Sequence, residues 1–234
     1  MGPARLGQLL QDKFQTLKQQ GPGHRTELMT PDGRVGELVP IGSWDLDDDN
    51  LVASIMAWRE TNRDKFATRI AAPGLSKTKA YLKTMAVGDP RRLLCRILAQ
   101  DGVLAGHLGL VQISAAVVDL DNLMLGEAKY GLDLIYRAEL ALIALAFSDP
   151  NIEVVDADVL TTNRGVQLIH RMAGLSAFET LPLDQVITPH GDEVLQPARN
   201  PADPTSRIGM LRMRIDRATF LERHPKGQEL IGLW

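Results

Sequence analysis

A chain of 234 residues with 44% apolar and 24% charged side chains falls in the ordinary range of folded proteins, away from disordered and membrane-embedded compositions. A formal net charge of −3 gives no broad positive field, and no Lys/Arg block is long enough to track a phosphate backbone, so nucleic acid is not expected as a partner. The single cysteine, Cys95, excludes an intramolecular disulfide, no stretch reaches the ~20 apolar residues of a membrane span, and residues 1–20 lack a signal-type apolar core; a cytoplasmic protein is expected.

Residues 4–20 place Leu6, Leu9, Leu10, Phe14 and Leu17 at spacings of three and four, which predicts an amphipathic helix ended by Gly21-Pro22-Gly23. Its stripe needs a surface, on its own domain or on a second copy, so a homodimer is one expectation. Residues 27–29 and 35–41 flank Thr30-Pro31-Asp32-Gly33-Arg34, whose turn chemistry predicts a β-hairpin. Asp45, Asp47, Asp48, Asp49 and Asn50 supply caps and N-terminal charge for a helix with the stripe Leu51, Ile55, Met56 and Trp58. The Gly and terminal Glu of a calcium loop are missing from that acidic run, and no metal is expected.

Residues 76–85 form a further predicted helix, closed by Gly88-Asp89-Pro90. Residues 93–99 and 103–114 read as an antiparallel pair around Gln100-Asp101-Gly102, with Cys95 as a buried strand position. A strand over 117–125, an apolar helix over 132–147, a strand over 152–160 and a helix over 164–173 ended by Gly174 give a central β-α-β-α run. Residues 182–206 are rich in Pro, Asp and Thr and receive no element; 208–215 alternates as a strand, and 217–224 is helix-like.

Five stretches along this layout carry a family pattern. Trp58-Arg59-Glu60-Thr61-Asn62-Arg63 follows W-R-N-x-N-R, and Asp121-Asn122-Leu123-Met124-Leu125-Gly126-Glu127 follows D-N-x-x-x-G-E. Tyr130-Gly131-Leu132-Asp133 stands at P-G-L-M, and residues 138–147 follow A-E-x-A-L-I-x-W-A-F. Asn163, Val166, Gln167, Ile169, His170, Gly174 and Leu175 match the spacing of N-x-x-A-I-x-L-Y-x-x-x-G-F. Over about residues 35–216 the chain thus resembles the GNAT family of acetyl-CoA-dependent N-acetyltransferases, in a branch that includes amino-sugar and protein N-terminal acetyltransferases.

The resemblance implies an α/β fold: a single GNAT-type domain whose mixed, mostly antiparallel sheet has a central parallel strand pair splayed for CoA, flanked by helices, with an added N-terminal helix. Residues 1–34 would form the N-terminal helix and hairpin arm, and 35–234 the acyltransferase domain. It also implies acetyl-CoA as co-substrate and a small-molecule primary amine as acceptor, an amino sugar or a nucleotide-linked one among the options, with peptide N-termini, or binding without catalysis, as alternatives.

In such a site the pyrophosphate meets a helix N-terminus, whose free N–H groups and dipole favour anions. That role falls to Tyr130, Gly131, Leu132, Asp133 and Leu134. The wider family has small residues in this loop, so Asp133 must point away from the phosphates if it is not to repel them. Leu123, Met124 and Leu125 would offer backbone to the pantetheine arm and an N–H to the thioester carbonyl, and Asn163 would cap the next helix and hold the arm.

His170 occupies the position where the family commonly has a tyrosine that protonates the leaving thiolate, a task open to imidazole. Glu127, and after it Asp121, are the expected bases for the amine, while Asp119 reads as outward strand alternation. Trp58, Arg59, Asn62 and His107 would line the acceptor pocket, and Glu139 is expected to pair with Arg137 or Lys129.

Overall fold

The computed structural model describes residues 8–20, 23–69, 74–126 and 128–234. Leu6, Gly21-Pro22 and Glu127, each given a role above, lie outside the described residues. The chain opens with helix α1 (Gln8–Gln19) and the hairpin of β1 (Thr26–Thr30) and β2 (Gly33–Pro40), turned at Gly33 with φ of 127°. Helix α2 (Asp49–Thr61) starts where the Asp48 carboxylate accepts the Asn50 and Leu51 N–H groups, so the acidic run serves as a cap. The two-residue β3 (Thr68–Arg69) and α3 (Leu75–Tyr81) follow, α3 running into a π-helical turn over Leu82–Val87.

The second half contains β4 (Arg92–Ala99), β5 (Leu104–Gln112), β6 (Val117–Leu125), α4 (Gly131–Phe147), β7 (Val154–Leu160) and α5 (Arg164–Met172). It ends with β8 (Ser176–Ile187), β9 (Glu193–Pro197), β10 (Gly209–Asp216), α6 (Arg217–Arg223) and α7 (Gly227–Gly232). The strands lie in the order β1-β2-β4-β5-β6-β7-β10-β8-β9-β3, and β6 with β7 is a parallel pair among antiparallel neighbours. This is the mixed sheet with a central parallel pair that the sequence pattern implied.

Strand alternation gives the sheet two different faces. On one, α4 is buried along most of its length against Val118, Leu120, Val155 and Ala157, and α1 adds Leu10, Phe14 and Leu17 to the same core. On the other, α2 and the π-helical turn bury Val52, Ile55, Leu82 and Ala86 against Leu94 of β4. Cys95 is fully buried in β4, and burial pushes its thiol pKa up.

Four elements depart from the sequence reading. Residues assigned no element hold β8 and β9, and β8 changes partner midway, pairing with β10 up to Pro182 and with β9 from Leu183. β3 pairs with β9, so the segment after α2 returns to the far edge of the sheet. Helix α7 also lies where none was predicted.

Candidate active site

The parallel pairing of β6 and β7 runs from Val117↔Val154 to Leu120↔Ala157 and then stops. Beyond it β6 stays with β5, as in Met124↔His107, whereas β7 stays with β10, as in Val159↔Leu211. A bulge helps β6 to diverge: its register with β5 shifts between His107 and Gly109, and Asn122 there adopts φ of 54°. The result is a splay in which, among the described residues, Leu123, Met124 and Leu125 have no partner strand on the β7 side.

Two clefts meet at this splay. One, of about 380 Å³, runs along Leu123, Met124 and Leu125 to Gly126 and Leu132 at the N-terminal end of α4, and reaches Asn163, Gly165 and Val166 of the β7–α5 turn. The other, of about 240 Å³, is lined by Asp119 and Asp121 of β6, Asp158 of β7, and His170 of α5. Lys65, Phe66, Leu123, Asn163 and Val166 line both.

The roof is the strap between α2 and β3. The Leu195 N–H donates to the Ala67 carbonyl at 2.8 Å, and Arg69 pairs with Glu193 of β9 at 2.5 Å. Its Lys65 donates to the Asn62 side chain at 2.7 Å. Asn163 caps α5, its side chain accepting from the Val166 N–H at 3.4 Å, and Gln167 holds the turn by donating to the Leu160 and Thr161 carbonyls at 3.0 and 3.1 Å.

Acidity on the second cleft has a cause in the register. Asp119 lies abreast of Asp156, with Asp158 next on the same face of β7. Burial, then the Asp158 and Asp156 charges, push the Asp119 pKa up to about 6, against the lowering pull of Arg212 and Arg214. Asp158 is also raised, by burial first, and Asp156 forms a two-bond pair with Arg214 at 2.6 and 2.7 Å. Asp121 is ion-paired with Arg92 and accepts from the Asn122 amide at 2.6 Å.

His170 faces two ways: it lines the second cleft, and its Nδ1 lies 2.8 Å from Oε1 of Glu139 in the core. Glu139 therefore pairs with His170 across α4 and α5, and not with Arg137 or Lys129 as expected from helix spacing. Arg137 instead lies 3.6 Å from Asp133, one turn earlier.

At the N-terminal end of α4, Gly131 takes φ of 73° and starts the helix. Leu132 turns to the first cleft. Tyr130, Asp133 and Leu134 instead line a separate cavity with Val35 and Asp101, where the Tyr130 hydroxyl donates to the Asp101 carboxylate at 3.1 Å. The Asp133 side chain is 56% exposed beside Arg137 and lies outside the lining of the first cleft.

The four residues expected at the acceptor pocket lie beside the bulge, and none of them lines the carboxylate cleft. Arg59 donates to the Asn122 side chain at 3.1 Å and stacks between the Phe66 and Tyr81 rings. The Trp58 indole lies against Gly126, where any Cβ would collide with it, and Asn62 lines the first cleft. His107 is buried next to Trp58 and faces neither cleft described here; burial, then Arg59, lower its pKa to about 4 despite the Asn122 backbone, so it is neutral at physiological pH.

Sequence reasoning missed Asp119 as more than a strand-face charge, and missed Asp158, Lys65 and Phe66. The recurrence of Asp at 119 and 121 and at 156 and 158, on two strands joined by one helix, was the available signal. In a parallel β-α-β unit such residues share one face.

No family model and no curated protein sequence matches the chain. Solved structures match its shape. A GCN5-related N-acetyltransferase from Brucella melitensis aligns with a TM-score of 0.61 and 13% identity, over 88% of this chain and 85% of that one. Mycobacterium smegmatis RimJ in complex with CoA-disulfide aligns with a TM-score of 0.60 and 15% identity, over 91% and 95%. The spermidine N-acetyltransferase SpeG from Vibrio cholerae aligns with a TM-score of 0.56 and 12% identity, over 80% and 96%. At these identities the likeness is one of fold, and the fold is that of the GNAT acetyltransferases.

Proposed function

We propose that the chain is an acetyl-CoA-dependent N-acetyltransferase whose acceptor is the primary amine of a small molecule. The observation that carries this reading is the meeting of two clefts at the β6/β7 splay, one fit for a thin acyl-CoA arm and the other lined by carboxylates. The free edge of Leu123–Leu125 suits a pantetheine amide, which would bond to it as a peptide adds to a sheet edge. The N-terminus of the 17-residue α4 suits the pyrophosphate, and Asp133 lies outside the lining of the first cleft. Acetyl-CoA supplies an activated thioester; the RimJ structure, similar in fold, holds a CoA derivative.

Asp119 is our base. Its pKa near 6 leaves it ionised at neutral pH yet matched to accept the proton that the amine nitrogen loses as the C–N bond forms. His170, on the opposite wall, delivers a proton to the sulfur as the C–S bond breaks. Backbone N–H groups at the β6 bulge would steady the carbonyl oxygen between these events. Asp119, Asp121 and Asp158 suit a cationic ammonium on arrival, and the strap above them suits a compact acceptor better than a peptide.

Calorimetric titration with acetyl-CoA, followed by thiol release with diamines, amino sugars, nucleotide-linked amino sugars and short peptides, tests this. Binding in the micromolar range and turnover with a small amine are expected. Absence of binding heat would overturn the transferase reading, and a preference for peptide N-termini would overturn the acceptor class.

A further inference from the structure

We infer that Glu139 is the positioning residue for His170: its buried carboxylate fixes the ring with Nδ1 toward the core and Nε2 toward the cleft, and balances the imidazolium that protonates the leaving sulfur. The inference rests on the transferase reading above and extends it to a residue outside the cleft lining. Glu139 is 0% exposed, among Ala138, Leu140, Leu142 and Ile143 of α4, and His170 is 2% exposed. The 2.8 Å contact uses Oε1, while Oε2 has no hydrogen-bond partner among the described residues.

A carboxylate with one unsatisfied oxygen in an apolar helix is a poor stabiliser, since the desolvation cost of a buried pair commonly exceeds its attraction and apolar replacements are often as stable. Packing alone therefore gives no reason for an acid at this position. Proton transfer does. With Nδ1 bonded to Glu139, Nε2 is the ring nitrogen left for the cleft that His170 lines.

The charged groups sharing that cleft are Asp119 and Asp121 from β6, Asp158 from β7 and Lys65 from the strap, while Glu139 approaches from α4 on the other side. As the thioester C–S bond breaks, the Nε2 proton passes to sulfur. The neutral ring keeps its Nδ1 proton on Glu139, and solvent reprotonates Nε2 before the next turnover.

The test uses Glu139→Gln and Glu139→Leu in the full chain. Glutamine keeps an oxygen for the Nδ1 proton but loses the charge; leucine loses both. At saturating acetyl-CoA and pH 8, kcat is expected to fall about tenfold in Glu139→Gln and about a hundredfold in Glu139→Leu. With the anion gone from behind the ring, the kcat–pH profile of Glu139→Gln should differ in shape from that of the wild type. The melting temperature of Glu139→Leu should stay level or rise.

Nitrogen-15 spectra of the histidine rings supply a readout independent of turnover: His170 should carry its neutral-form proton on Nδ1 in the wild type and redistribute it in Glu139→Leu. Unchanged pH profiles, or a wild-type His170 protonated on Nε2, would overturn the inference while leaving acetyl-CoA binding intact. Failure of acetyl-CoA to bind the wild type would instead remove the transferase reading itself.

Discussion

On the proposed function, Asp119 both opposes the fold at neutral pH and serves the reaction. Its folded pKa, about 6, lies above the ordinary 3.8, so folding favours the neutral acid. The stability this provides is complete below about pH 4 and is lost as pH rises through about 6; at neutral pH the ionised group weighs against the folded state. Asp119→Asn should therefore stabilise the protein by about 1–2 kcal/mol at pH 7.5 once solvent screening of a partly exposed group is allowed for, with the gain vanishing toward pH 4. The same change should lower kcat/KM about a hundredfold or more. Urea unfolding at the two pH values and initial rates check both halves; an unaltered rate would remove Asp119 as the base. Nothing local in Val118-Asp119-Leu120 distinguishes this residue from a solvated strand charge, because its burial and the perturbing charges, on β7 and β10, arise only in the folded sheet.

At the level of elements, legibility followed burial. The strands and helix of the central β-α-β run were readable within two residues of their bounds because each buries a continuous or alternating apolar face. β8 was not: Ser176–Thr180 is exposed throughout, Pro182 falls inside the strand, and its two halves pair with different neighbours. β3 is two residues long and has no period to read. The end of α4 depends on a similarly distant partner, Arg217 at the start of α6, whose guanidinium donates to the Phe147, Asp149 and Ile152 carbonyls at 2.6, 2.8 and 3.1 Å. Arg217→Ala strips this cap from the helix that frames the donor cleft at its opposite end. A loss of about 2–3 kcal/mol in urea unfolding is expected, with acetyl-CoA affinity unchanged within twofold. A matching loss of affinity would mean that α4 shifts as a body.

Across the whole molecule, the sheet's far edge acts on its centre. The strap leaves α2 beside the β6 bulge, passes Lys65 and Phe66 along both clefts and Ala67 along the carboxylate cleft, and is tied down at β9 on the other side of the splay. Among the described residues Thr68 and Arg69 pair with β9, and the tie is completed by the Ala67 carbonyl bond and the Arg69–Glu193 ion pair, whose side chains are 15% and 19% exposed. A pair this shielded contributes more than one on the open surface. Arg69→Ala should loosen the β9 end of the strap first. Ala67 borders only the carboxylate cleft and Asn62 only the donor cleft, so the two substrates should respond unequally. The KM for the amine is expected to rise about tenfold, equivalent to about 1.4 kcal/mol, while that for acetyl-CoA rises less than threefold. Equal rises would mean that the strap moves as one rigid piece hinged at α2; no rise in either would mean that it covers the clefts without shaping them.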